Sequence, residues 1–245
     1  MICSFVLGLY PEKENKIYKY INYEEIKKIL SQEISEEELK KITVSNFLTK
    51  DKNFEKKTYY IKISSINSNC TLKILKLLFF YKITNHIVSI KETNFKIINI
   101  YHSSFWAKQL DIDKFLQEKE LKNKIEIKIL TPMFFKVGNQ YVCSSKPIYI
   151  FKNLIKKVKI SSLYNKKISE YIKNFDISKI EIVSEEISIR NIFKYKTEGI
   201  IGKITFEIKN FTEDQLLFFN ILLEFSFFSG IGYLTERGYG EIINY

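Results

Sequence analysis

The stretch TEDQLLFFNILLEFSFFSGIGYLTERGYG, residues 212–240, decides the plan of the chain. Thr212 followed three residues later by Gln215 is a capping box, so a helix starts there and runs to about Phe228. Its apolar part, Leu216–Phe228, is too short to span a bilayer and carries Asn220, Glu224 and Ser226, which predicts a buried amphipathic helix. Four of the chain's 8 glycines follow at once: Gly230, Gly232, Gly238 and Gly240. Glycines gathered behind a helix mark a tight return of the backbone, here into a short last strand near Tyr239–Asn244.

Upstream of this helix, Ile204, Phe206 and Ile208 alternate with Thr205, Glu207 and Lys209, the period of a half-buried strand. That strand covers 199–209, and another covers 180–195. Pro147 sits at a first helical position, and Ile148, Phe151, Leu154, Ile155 and Val158 form an apolar stripe behind it, with Lys152, Lys156 and Lys159 mostly on the other face. Ile125, Ile127 and Ile129 alternate with Glu126 and Lys128 and open this half as a strand. The order is β-α-β-β-α-β.

The first half repeats it. Ile2–Leu9 is a strand; Tyr23, Ile26, Leu30 and Ile34 fall at helical spacing; Thr43–Leu48 and Tyr59–Ile66 are strands. A Leu-rich helix spans Thr71–Tyr81, and further strands lie within Ile87–Tyr101. The expectation is therefore an α+β protein of two tandem ferredoxin-like domains, 1–110 and 124–245, joined by a polar segment, 111–123, with helical character near Asp113–Glu120.

Composition limits the function. Lys plus Arg is 39 against 28 Asp plus Glu, a formal charge of +11, which favours a polyanionic partner. Cys3, Cys70 and Cys143 are far apart and show no zinc-ligand spacing, so neither a metal nor a cofactor is expected, and the thiols fit a reducing cytoplasm. Met1 leads straight into Ile2-Cys3-Ser4-Phe5, without a basic region or cleavage site, so no signal peptide and no membrane partner are expected.

Two accounts of the glycine cluster stand side by side on these residues alone. It forms either a tight helix-to-strand turn, or a loop whose N–H groups admit a phosphate backbone, with Arg237 beside it. Arg237 and Arg190 are the chain's only arginines. The spacing is not that of a Walker A loop or of a dinucleotide-binding fingerprint.

The pattern Gly230-x-Gly232, five residues, Gly238-Tyr239-Gly240 resembles the C-terminal signature of the CRISPR repeat-RNA endoribonucleases of the RAMP superfamily. The apolar run Leu222–Ser229 before it is similar too. Thr131-Pro132-Met133-Phe134-Phe135, with Gly138, Tyr141 and the helix from Pro147, resembles the family's Thr/Ser-Pro-x-x-Phe strand and next helix. Ile42-Thr43-Val44-Ser45 with Asn46-Phe47-Leu48 resembles its second strand. The resemblance is specific over about residues 125–245.

The resemblance implies the RAMP type of doubled ferredoxin-like fold and a cytoplasmic endoribonuclease. It would bind CRISPR repeat RNA and cleave precursor CRISPR RNA without a metal, using the RNA's own 2′-OH. Other CRISPR effector subunits are further implied partners, and a homodimer is one of the oligomeric states left open. The alternative is a catalytically weak or inactive subunit that binds repeat or guide RNA. Residues expected at the RNA are Gly230, Gly232, Tyr233, Arg237, Gly238, Gly240, Lys152 and Lys156. The family's histidine just after the first helix has no counterpart in Ser31–Thr43, and the only histidines are His86 and His102. Catalytic candidates are therefore His102, Lys28 and Tyr23; Tyr20, Lys27, Lys40 and Lys41 are the other residues of a histidine-free route.

Overall fold

The structure is a computed structural model that describes residues 2–12, 23–45, 58–90, 93–118 and 120–244. The chain divides into two compact units, Met1–Gln109 with Glu236–Gly238, and Leu110–Thr235 with Tyr239–Tyr245.

The first unit holds β1 (Ile2–Pro11), α1 (Tyr23–Leu30), α2 (Glu36–Leu39), β2 (Ile42–Val44), β3 (Tyr59–Ser65), α3 (Ser68–Ile83), β4 (Ile87–Ile90) and β5 (Thr93–Tyr101). The sheet order is β2-β3-β1-β5-β4, and a two-residue strand β6 (Gln109–Leu110) also pairs with β1. With β5 as the fourth strand this is the ferredoxin-like order, and β4 is an added edge hairpin. Antiparallel register sets Phe5 opposite Ile63, Leu7 opposite Ile61 and Leu9 opposite Tyr59. These side chains share a core with Leu30, Ile74, Leu78 and Phe95. The helical spacing Tyr23–Ile34 is cut short: α1 ends at Leu30, and Ile34 is buried ahead of α2. Ser35 closes a capping box with Glu38, and that starts a new helix. Of the strand expected over Thr43–Leu48, Asn46–Leu48 lie outside the described residues.

The second unit runs α4 (Ile112–Glu118), β7 (Lys124–Met133), β8 (Phe135–Val137), β9 (Gln140–Val142), α5 (Pro147–Val158), α6 (Lys166–Asn174), β10 (Ile180–Ile192), β11 (Thr197–Ile208), α7 (Glu213–Ser229) and β12 (Ile242–Asn244). Its sheet order, β10-β11-β7-β12, is again ferredoxin-like, with the hairpin β8-β9 inserted after the first strand and α6 after the first helix. Ile204 pairs with Ile127, Phe206 with Ile125 and Ile242 with Ile129. Phe151 of α5 packs on Phe206, ring centroids 5.4 Å apart, and stacks on Phe219 of α7 at 5.7 Å. The capping box of α7 forms as expected: Gln215 N–H donates to Thr212 Oγ1 (3.3 Å), and Thr212 N–H donates to Gln215 Oε1 (3.2 Å). The helix is not amphipathic, however. Phe218, Phe219, Leu222, Phe225, Phe227 and Phe228 surround it and are all buried, as an all-round apolar helix requires. Among the described residues no helix is long and apolar enough to cross a membrane.

Candidate functional site

The glycine cluster and the Thr-Pro-Met-Phe-Phe segment, separate in sequence, lie together. Where β7 ends, its backbone is zipped to the residues around the cluster. Leu130 N–H donates to Glu241 O (2.8 Å), Glu241 N–H to Thr131 Oγ1 (2.9 Å), Gly240 N–H to Pro132 O (3.2 Å) and Tyr233 N–H to Phe134 O (2.7 Å). This close approach is what the glycines permit. A Cβ on Gly232, at φ +101°, would collide with Phe134 O, and one on Gly240, at φ +61°, would collide with Ile231 O. Gly230 caps α7 at φ 61°.

Two side chains of α5, one turn apart, hold the loop from the other side. Asn153 accepts from Gly232 N–H (2.9 Å) and donates to Gly232 O (3.3 Å). The Lys157 ammonium donates to Ser229 O (2.9 Å), Gly230 O (3.0 Å) and Thr235 Oγ1 (2.9 Å), so a cation satisfies carbonyls at the C-terminal end of α7. Neither residue was among the expected site residues; their i, i+4 spacing was the available signal.

This bonding corrects one of the two sequence accounts of the loop. The N–H groups of Gly230, Ile231, Gly232, Tyr233, Tyr239 and Gly240 all donate within the protein, so they do not form a phosphate cradle. What the loop offers to a ligand is side chains. Tyr233 is half-buried with Lys136 Nζ 5.6 Å from its ring centroid. Lys152 and Lys156 are exposed on α5, one turn apart.

Arg237 and Gly238 group with the first unit. The Arg237 guanidinium lies 3.7 Å from Glu24 on α1 and 3.8 Å from Glu236. Tyr23, the first residue of α1, belongs to the same cluster. Burial, then the carboxylates of Glu236 and Glu24, push its phenol up to about 12 against the pull of Arg237. Tyr23 therefore stays protonated at neutral pH, with its O–H available to donate. Lys28 lies five residues on, about 140° around the helix from Tyr23, and is exposed. Lys27, on Tyr23's face, is paired with Glu36 at 2.9 Å. Lys40 is exposed, Lys41 is half-buried, and Tyr20 lies outside the described residues.

His102 is exposed just beyond β5. The other histidine, His86, stacks on Tyr81 at 4.2 Å. Both rings are exposed. Among the described residues no group of three or more His, Cys, Asp and Glu is placed to hold a metal ion.

Residues 127–242 match the sequence model of the CRISPR-associated endoribonuclease Cas6. That match spans just under half of the chain, and over it the sequence is similar to the Cas6 family. The match covers the Thr-Pro-Met-Phe-Phe segment, α5, its two loop-holding side chains and the whole glycine cluster. No curated protein matches the sequence. Among solved structures, a Cas6 product complex superposes with TM-score 0.78 at 16% identity, covering all of both chains. Cas6 of Thermus thermophilus gives 0.73 at 17%, over 100% of this chain and 98% of that one. The product of a Cas6-related gene from Pyrococcus furiosus gives 0.57 at 14%, over 100% and 99%. At these identities the likeness establishes the fold, that of Cas6, along the full chain.

Proposed function

We propose that this protein binds CRISPR repeat RNA in the cytoplasm and cleaves it endonucleolytically, maturing precursor CRISPR RNA. The observation that carries this is the Cas6 match over 127–242, which ends on the glycine cluster and the strand behind it. The chain's +11 charge fits a polyanionic substrate.

The reaction proposed needs no metal. The 2′-oxygen attacks the neighbouring phosphorus, the bond to the 5′-oxygen breaks, and the products are a 2′,3′-cyclic phosphate and a free 5′-hydroxyl. A base takes the 2′-OH proton, an acid returns one to the leaving oxygen, and cations stabilise the charged phosphorane. His102 is assigned to proton transfer, Tyr23 to a hydrogen bond on the scissile group, and Lys28 to charge stabilisation. One specific observation favours a second reading, a subunit that binds without cutting: the region Ser31–Thr43 has no histidine.

Repeat RNA incubated in EDTA, beside copies carrying single 2′-deoxy substitutions, separates the two. The expected result is one discrete product that a single deoxy substitution abolishes, and a loss of about a hundredfold in rate for His102→Ala. Binding without a product establishes the non-cutting subunit. Full activity in His102→Ala returns the proton transfer to the lysines Lys27, Lys28, Lys40 and Lys41.

A further inference from the structure

Four tyrosines from three separate segments of the second unit meet around one phenylalanine. Phe134, fully buried at the junction of β7 and β8, has Tyr141 (β9) at 5.7 Å, Tyr195 (the β10–β11 turn) at 6.0 Å, and Tyr233 and Tyr239 (glycine cluster) at 5.9 and 5.4 Å. Tyr141, Tyr233 and Tyr239 stand at 75–88° to the Phe134 plane. A satellite core needs only apolar residues, yet every ring around Phe134 carries a hydroxyl, the residue type used where one end is dry and the other wet. Tyr141 is 37% exposed.

The rim is basic and apolar by turns. In the β8-β9 hairpin, Lys136 lies between Phe135 and Val137, which is 51% exposed. In the β10–β11 turn, Lys194 lies between Tyr195 and Phe193, which is 87% exposed. Lys136 Nζ lies 5.6 Å from the Tyr233 ring centroid, and Lys194 Nζ lies 5.8 Å from that of Tyr195. Aromatic faces with lysines beside them match the pairing of bases and phosphates along an unpaired strand, where stacking holds the base and the ammonium the phosphate.

We infer that this tyrosine cluster is a binding subsite for an unpaired segment of RNA, with Tyr141 and Tyr233 stacking on bases and Lys136 and Lys194 pairing with flanking phosphates. This rests on the RNA-binding function proposed above and assigns part of the RNA to a surface of the second unit.

The probe is labelled repeat RNA, titrated into the full chain across a salt series. Lys136→Gln with Lys194→Gln is expected to reduce the slope of log affinity against log salt by about 1.4, two single-strand phosphate contacts. Tyr141→Leu, which keeps the apolar volume, is expected to weaken binding about tenfold with the melting temperature held. In a Trp106→Phe background, Tyr141→Trp gives a fluorophore in the cluster, and repeat RNA is expected to quench it, which a purely structural ring would not show. If the parent chain binds no repeat RNA, the function proposed above falls and this subsite with it. If the parent binds while the lysine variant keeps the full slope and the Tyr141→Trp emission does not change, the subsite is overturned and the function stands.

Discussion

Tyr23 shows how far a single residue can be read from its type. Its place at the start of a helix was visible in the sequence, but its chemistry was not, because it is set first by burial and then in part by Glu236 and Arg237, more than two hundred positions away. Lys28 failed to share its face for a local reason, since five residues along a helix do not bring two side chains together. Glu38 is the clearest local effect. Its carboxylate accepts from Lys73 Nζ (2.8 and 3.0 Å) and from Ser35 N–H (3.0 Å), and these bonds hold its pKa down to about 2 against an ordinary 4.5. A carboxyl depressed in the folded state adds stability that is complete above its unfolded pKa and is lost as pH falls through the folded one. The window is therefore pH 4.5 down to 2, and the effect is small because the pair is exposed. An NMR titration of Glu38 is expected to show a midpoint near 2 that rises towards the ordinary value in Lys73→Met. A midpoint near 4.5 in the unaltered protein would mean that the lysine does not hold it.

The glycine-rich turn was legible as an element, and so was the helix that feeds it. Its bonding was not: four glycines in eleven residues are equally compatible with a nest of free N–H groups and with a loop packed against a strand end. The deciding atoms belong to Pro132, Phe134, Asn153 and Lys157, whose proximity follows from β7 and β12 being paired. The turn predicts a contrast between two glycines. Gly138, at φ +58° in the β8-β9 hairpin, has no atom within 4 Å of a built Cβ, so Gly138→Ala carries only the left-handed strain, about 1–2 kcal/mol. Gly240→Ala has similar strain and also drives a methyl into Ile231 O, so the backbone must open, at about 3 kcal/mol or more. Thermal melts of the two variants check this; equal losses would mean that the Ile231–Gly240 contact does not constrain the loop.

At the level of the complete chain, the doubled β-α-β-β-α-β order was readable because each strand and helix repeats its own period. The additions to it were not. β8 and β9 have three residues each, too short for alternation to register, and α6 (KKISEYIKN) offers only a brief apolar stripe. Those additions carry much of the proposed RNA surface, so the scaffold was more legible than the site. Charge links the two levels. Lys152 and Lys156 are exposed on α5, whereas Arg237 is engaged with Glu24 and Glu236. If both kinds of cation meet phosphate, their loss has different signatures. Lys152→Gln with Lys156→Gln removes two counterion-releasing contacts, and the salt slope is expected to drop by about 1.4 while affinity at high salt changes little. Arg237→Ala removes one contact, for a slope change of about 0.7, but it also leaves two carboxylates facing the RNA, so the affinity loss is expected to exceed that of the lysine pair at low salt. Titrations of repeat RNA at several salt concentrations measure both quantities. Identical slopes for all three proteins would mean that neither α5 nor Arg237 meets the phosphates, and would leave the tyrosine cluster with its two lysines as the remaining contact surface.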